Sequence, residues 1–168
     1  MTRMHKLFFV FLALGACFVW WTSGALPAVV ASHFGAGGIA NGFVPRGQFV
    51  GFMLALVLAM PPLIYFLGQL ACRLPAQWLN MPNKQYWLAP ERRAATLESL
   101  GNFGVWTAYA TLGVLCLSHW LVVQANLERP PRLEQAPLVG VLAVFFVALF
   151  AGMVVVLRRF FRVPPTDT

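Results

Sequence analysis

Four stretches of about 20 residues, none holding an Asp, Glu, Lys or Arg, constrain this chain more than any other feature. They run over residues 7–26, 49–72, 103–123 and 138–157. As helices at ~1.5 Å per residue, each is long enough for the ~30 Å hydrocarbon core of a bilayer. Lipid offers no partner to a backbone N–H or C=O, so a spanning segment must be a helix or part of a closed barrel. The runs here are continuous rather than alternating, which excludes the barrel. Composition agrees: 60% of the 168 residues are apolar and 10% are charged, against ~45–50% and ~25% in soluble domains. The sequence therefore predicts one all-α integral-membrane domain over residues 1–168, with four transmembrane helices.

The first run has a second reading. A basic start, MTRMHK, before an apolar core also describes a signal peptide, and Leu14-Gly15-Ala16-Cys17 resembles a lipoprotein cleavage box. Phe18, Val19, Trp20 and Trp21 follow the cysteine where a polar tether is needed, so a retained helix is the preferred reading, with the tryptophans at the far interface. Pro61-Pro62 predicts a kink near Ala59 in the second span. Gly104, Ala108, Thr111 and Gly113 in the third, and Ala148 with Gly152 in the fourth, are small residues at helical spacing. They let backbones approach and allow a homo-oligomer.

The connections are read from their punctuation. Residues 73–102 are the most polar interval, with Trp78, Tyr86 and Trp87 at the expected headgroup level. Pro90 suits a first helical position and Glu91 the positive helix end, which predicts a short interfacial cytoplasmic helix over 90–101. Residues 124–137 read as a polar turn closed by Pro130-Pro131. Four spans put both termini on one side. That side carries Arg3, Lys6, Arg73, Lys84, Arg92, Arg93, Arg158, Arg159 and Arg162, against Arg46, Arg129 and Arg132 on the other. The positive-inside bias then places both termini in the cytoplasm of a bacterial inner membrane. It also accounts for the net charge of +7 without a nucleic-acid partner. Cys17, Cys72 and Cys116 have neither disulfide-framework nor zinc-motif spacing.

Between the first two spans, residues 26–49 hold Gly35, Gly37, Gly38, Gly42, Pro45 and Gly47. Such density of residues that permit or fix unusual φ predicts an ordered glycine-rich outer loop rather than a floppy linker.

Within that loop, Leu26-Pro27, Val30, His33-Phe34, Gly38, Asn41-Gly42 and Phe49 form a spaced pattern. It resembles a bacterial integral-membrane family of unknown function. The module also occurs in toxin-immunity membrane proteins that protect sporulating bacteria from their own delay peptide. The resemblance covers about residues 10–70, and residues 82–93 also look like a loop of these proteins. Ala28 and Asn41 stand where the family often has acids, and this chain is shorter than the immunity proteins. The resemblance thus implies a shared outer module, with Leu26, Pro27, His33, Phe34, Gly38, Asn41 and Gly42 as its ligand or partner loop. It does not imply immunity or signalling.

The sites have sharp and plain readings. His33 could take a proton, a metal or a peptide ligand on the outer face, or could bond backbone carbonyls and fix the turn. His119, with Cys116 one turn earlier, falls toward the same side, so His33 and His119 are weak candidates for a metal site; Trp120 beside His119 favours an interfacial belt instead. Tyr86, Trp87, Arg92 and Arg93 could dock a soluble partner, or only anchor the loop to anionic headgroups. No nucleophile–base pair, paired carboxylates, phosphate loop or metalloprotease motif is present. The sequence thus points to a non-enzymatic sensor, immunity-like or accessory membrane protein without a cofactor. Its neighbours would be membrane lipid and a peptide or protein partner at the outer loop. An oligomeric small-solute transporter subunit is the alternative, and a metal-dependent enzyme using His33 and His119 a weaker third.

Overall fold

A computed structural model describes residues 3–163. In chain order the elements are α1 (Arg3–Thr22), β1 (Val29–Phe34), β2 (Ala40–Pro45), α2 (Arg46–Ala71), α3 (Lys84–Trp87), α4 (Pro90–Leu127) and α5 (Gln135–Phe161). Helices α1, α2, α4 and α5 are each long and apolar enough to cross a membrane. This is a multi-pass helical architecture.

Helix α1 stops at Thr22, short of the predicted end at residue 26, but α4 and α5 extend past the predicted runs, because lipid thickness sets where a span must be apolar, not where a helix must stop. The largest case is α4. Its 38 residues make a rod of ~57 Å, nearly twice the hydrocarbon core. The predicted separate helix over 90–101 is instead its first three turns, joined to the span without a break. At its other end α4 absorbs Gln124–Leu127, so the predicted polar turn shrinks to residues 128–134. Helix α2 stays helical through Pro61 and Pro62. Proline at these positions leaves the carbonyls of Val57 and Leu58 without their helical donors.

The predicted outer loop is not irregular. It is a two-stranded antiparallel hairpin, with Val29 opposite Pro45, Val30 opposite Val44, Ala31 opposite Phe43, His33 opposite Gly42 and Phe34 opposite Ala40. The register shifts on both sides of His33. The turn closes with Gly35 N–H to Ile39 C=O at 2.8 Å and Gly38 N–H to Gly35 C=O at 3.1 Å. Gly37 and Gly38 supply its positive φ, 74° and 75°.

Lipid gives little drive for helices to associate through apolar surface, so close backbone approach matters more. A Cβ built on Gly68 of α2 would lie 3.0 Å from the Gly104 Cα of α4. Gly15 of α1 meets Leu112 and Cys116, and Gly152 of α5 meets Phe103 and Trp106. Near the hairpin, Val19, Leu26, Val30, Phe49, Met53, Val57, Leu112 and Val123 make one apolar cluster. Near the chain ends, Phe8, Tyr65, Val105 and Ala108 make a second. Helix α1 contributes to both, so it is an integral part of the bundle. Helix α5 packs mainly on α4 and leaves Val144, Val147, Phe150 and Val155 exposed. Such a surface suits hydrocarbon, not water.

Candidate functional site

The hairpin is fixed to the bundle at three places. Asn126, buried in the last turn of α4, accepts from Ala31 N–H at 2.7 Å and donates to Ala31 C=O at 3.0 Å. A carboxamide is thus used like a residue of a neighbouring strand, and it closes the outer edge of β1. Its Nδ2 also reaches the Val122 carbonyl at 2.9 Å. At the turn, Leu133 N–H donates to Gly38 C=O at 2.9 Å, and Ile39 forms a bridge with Arg132. At the base, Arg46 N–H donates to Ala28 C=O at 2.9 Å and the Arg46 guanidinium to Leu26 C=O at 3.2 Å.

On this frame the predicted site residues divide. Leu26 is core and Gly38 is buried against Leu133; both hold the hairpin rather than present it. Phe34 is half-buried, and Gly42 is small because a Cβ there would lie 2.8 Å from the His33 Cβ. Pro27, His33 and Asn41 are exposed. His33 Nδ1 donates to Asn41 Oδ1 at 2.5 Å across the two strands. The expectation that His33 bonds backbone carbonyls is corrected: its partner is the Asn41 side chain. With Nδ1 engaged by Asn41, Nε2 is the ring nitrogen that remains for a partner. Ile39, Phe43 and Val29 are further exposed apolar side chains of the same hairpin.

The weak metal pair is not assembled. His119 is fully buried, with Nε2 on Thr22 Oγ1 at 2.9 Å and its ring stacked on Phe49 at 5.8 Å. His33 and His119 share no hydrogen-bonding partner, because α4 continues two turns past His119 before it reaches the hairpin at Asn126. Cys116 faces Gly15 of α1. Among the described residues no three His, Cys, Asp or Glu side chains group as metal ligands. His119 Nδ1 is buried without a hydrogen-bond partner among them.

The predicted docking residues at the other end are largely occupied by the fold. Trp87 Nε1 donates to Phe160 C=O at 3.0 Å, and Asn83 Nδ2 donates to the Phe160 and Phe161 carbonyls at 3.0 and 3.2 Å. These donors cap the C-terminal end of α5, whose last carbonyls have no helical partners. Arg92 lies 4.0 Å over the Tyr86 ring, donates to Tyr86 C=O at 3.0 Å and pairs with Glu91 at 2.7 Å. Arg93 is exposed.

Sequence reasoning missed Asn126, Leu133 and Asn83. The available signal was an asparagine directly beyond an apolar run, where a lone amide must find partners if the helix carries it inward. Compared with known protein families, curated proteins and solved structures, the chain finds no match.

Proposed function

We propose that this is a non-catalytic sensor, immunity-like or accessory protein of a bacterial inner membrane, and that the hairpin is its binding surface for a peptide or protein on the outer face. The observation that carries the reading is the combination of a clamped hairpin with an exposed His33–Asn41 pair. Three anchors fix the frame, while His33, Asn41, Ile39 and Phe43 face away from it. A surface ordered before contact loses less conformational entropy when a partner arrives. Exposed aromatic and aliphatic side chains on the same hairpin as a polar pair suit a peptide with both apolar and hydrogen-bonding groups. The family-like pattern of residues 26–49 supports the same role, and the cation asymmetry supports its outward orientation.

The transporter alternative needs polar groups left over to meet a solute. The buried hydroxyls of Ser23, Thr96 and Thr111 each donate to the carbonyl of another residue, at 2.7, 2.9 and 2.9 Å, and Asn126 is spent on the hairpin. Among the described buried polar side chains only His119 Nδ1 is left over, a single group with no second one to meet a solute beside it. That favours a binding role over a transport path.

Capture from native membranes with the full chain tests the proposal, comparing wild type with a His33→Ala/Asn41→Ala variant. A partner that depends on the pair supports it. Identical partners for both chains overturn it, provided both insert equally.

A further inference from the structure

We propose that the crevice between the end of α1 and the start of α2 holds one phospholipid, with its phosphate at Arg46 and an acyl chain along Gly47, Gly51 and Leu54. The crevice has a volume of about 610 Å³ and is walled by Trp20 and Trp21 on one side and α2 on the other. Volumes of this order accept small ligands. Its mouth is positive for two reasons. Arg46 is exposed, and among the described residues its guanidinium makes one hydrogen bond, to Leu26 C=O. Arginine has five N–H donors, so a fork remains for a phosphate. The N-terminus of α2 also lies here, preceded by Pro45 and without a side-chain cap. Arg46 N–H is taken by Ala28, which leaves the amides of Gly47 and Gln48 without helical acceptors. Uncapped amides and the helix dipole both favour an anion.

The depth fits a lipid. From Arg46 to Leu54 the helix descends ~12 Å, most of the ~15 Å from the interface to the bilayer centre. Gly47 and Gly51 lie one turn apart, and a Cβ built on either meets nothing within 4 Å. They leave a trough where a chain of methylenes can lie. A second copy is the rival occupant, because glycines at this spacing also join helices. A two-fold contact through them would bring Arg46 against Arg46 and the two positive helix ends together. Charge complementarity therefore selects the phosphate.

Native mass spectrometry of the full chain, reconstituted with phosphatidylglycerol and then moved to delipidating detergent, tests this. Wild type is expected to retain one phosphatidylglycerol per chain. Gly51→Leu, which fills open space, and Arg46→Gln, which removes the fork, are each expected to lower occupancy about tenfold. Gly113→Leu, at another glycine with open surroundings, is expected to leave it unchanged. Should Arg46→Gln fold poorly, Gly51→Leu decides alone. Equal retention by wild type and Gly51→Leu overturns the proposal. So does a disulfide-linked dimer formed by Gly51→Cys in membranes, which would make the crevice a contact between copies.

Discussion

The carboxamide of Asn126 bonds the peptide of Ala31 in both directions, across 95 residues of sequence, with Oδ1 on the N–H at 2.7 Å and Nδ2 on the C=O at 3.0 Å. Both residues are buried. Asn126→Ala would strand two backbone groups away from water at a cost of about 1–3 kcal/mol each. The expected result is a lower unfolding temperature and faster amide exchange across residues 28–45, while the four spans stay protected. Asn126→Asp keeps the acceptor and loses the donor, so it is expected to be intermediate in exchange while burying a charge. Hydrogen exchange in detergent micelles or nanodiscs reads both variants. Unchanged exchange in Asn126→Ala would mean the hairpin stands without its clamp.

Adjacent glycines in the hairpin turn should respond differently. Gly37 and Gly38 have nearly equal φ, 74° and 75°, so an added methyl at either carries the left-handed penalty of about 1–2 kcal/mol. At Gly37 the built Cβ meets nothing, whereas at Gly38 it falls 1.9 Å from the Leu133 carbonyl oxygen. Gly37→Ala is expected to lower stability by that penalty alone. Gly38→Ala must also push the α4–α5 connection away and break the Leu133–Gly38 bond, so it is expected to cost at least about 2 kcal/mol more. Thermal unfolding of the two variants side by side separates the effects. Equal shifts would contradict the close approach.

How legible was this in the sequence? The spans were, because lipid imposes a local rule: about 20 consecutive apolar residues suffice to identify one. Their ends were not. Gln124 to Leu127 look like turn residues, yet helical bonds continue there because Asn126 finds a buried backbone partner on β1. A glycine turn between the first two spans is legible, but the strands that flank it are not. Val29–Phe34 is short, buried at Val30 and Ala31 together, and bulged at His33, so it shows no two-residue alternation. At the site, the partner of His33 was not legible. Asn41 lies eight residues away and pairs with His33 only because the hairpin register sets them together. Trp87 reads as a headgroup anchor in the sequence because nothing local ties it to the Phe160 carbonyl, 73 residues later.

The burial of His119 gives an unusual expectation for a histidine inside a bundle. Among the described residues its Nδ1 has no partner, its Nε2 meets Thr22 Oγ1, and that hydroxyl already donates to Phe18 C=O at 2.7 Å. His119→Phe removes a stranded acceptor, keeps a ring against Phe49 and leaves Thr22 satisfied. Replacing a polar group by an apolar one of similar shape is then near neutral, within about 1 kcal/mol. Function assayed through the hairpin is expected to be unaffected as well. A large loss of stability, or loss of a His119-dependent metal from the purified protein, would overturn this account.

Two glycines of α4, one at a helix contact and one in open surroundings, should differ as well. Gly68 and Gly104 meet backbone to backbone, so a methyl on either side meets the opposite Cα at 3.0 Å. Backbone cannot rotate away as a flexible side chain can, so α2 and α4 must separate along their contact. Gly104→Val is expected to destabilise by about 1–3 kcal/mol through overpacking. Gly113→Val on the same helix has open surroundings and should change stability only by the small helix-propensity difference, which favours valine, within about 0.5 kcal/mol. Comparison of unfolding temperatures at matched detergent concentration checks the pair.

Orientation is decided by labelling from one side. Ser32 and Arg93 are both exposed, at opposite ends of the bundle, so cysteine at either site is reachable by a water-soluble maleimide. The background is a chain whose three native cysteines are replaced by alanine. In intact cells a membrane-impermeant reagent is expected to label Ser32→Cys and to reach Arg93→Cys only after lysis. The physical basis is the preference of Lys and Arg for the cytoplasmic side, which nine cations at the terminal end against three at the hairpin end should enforce. The reverse labelling pattern would put the His33–Asn41 pair inside the cell. A binding surface for an external peptide would then be untenable, whereas the phospholipid crevice would keep its geometry in the opposite leaflet.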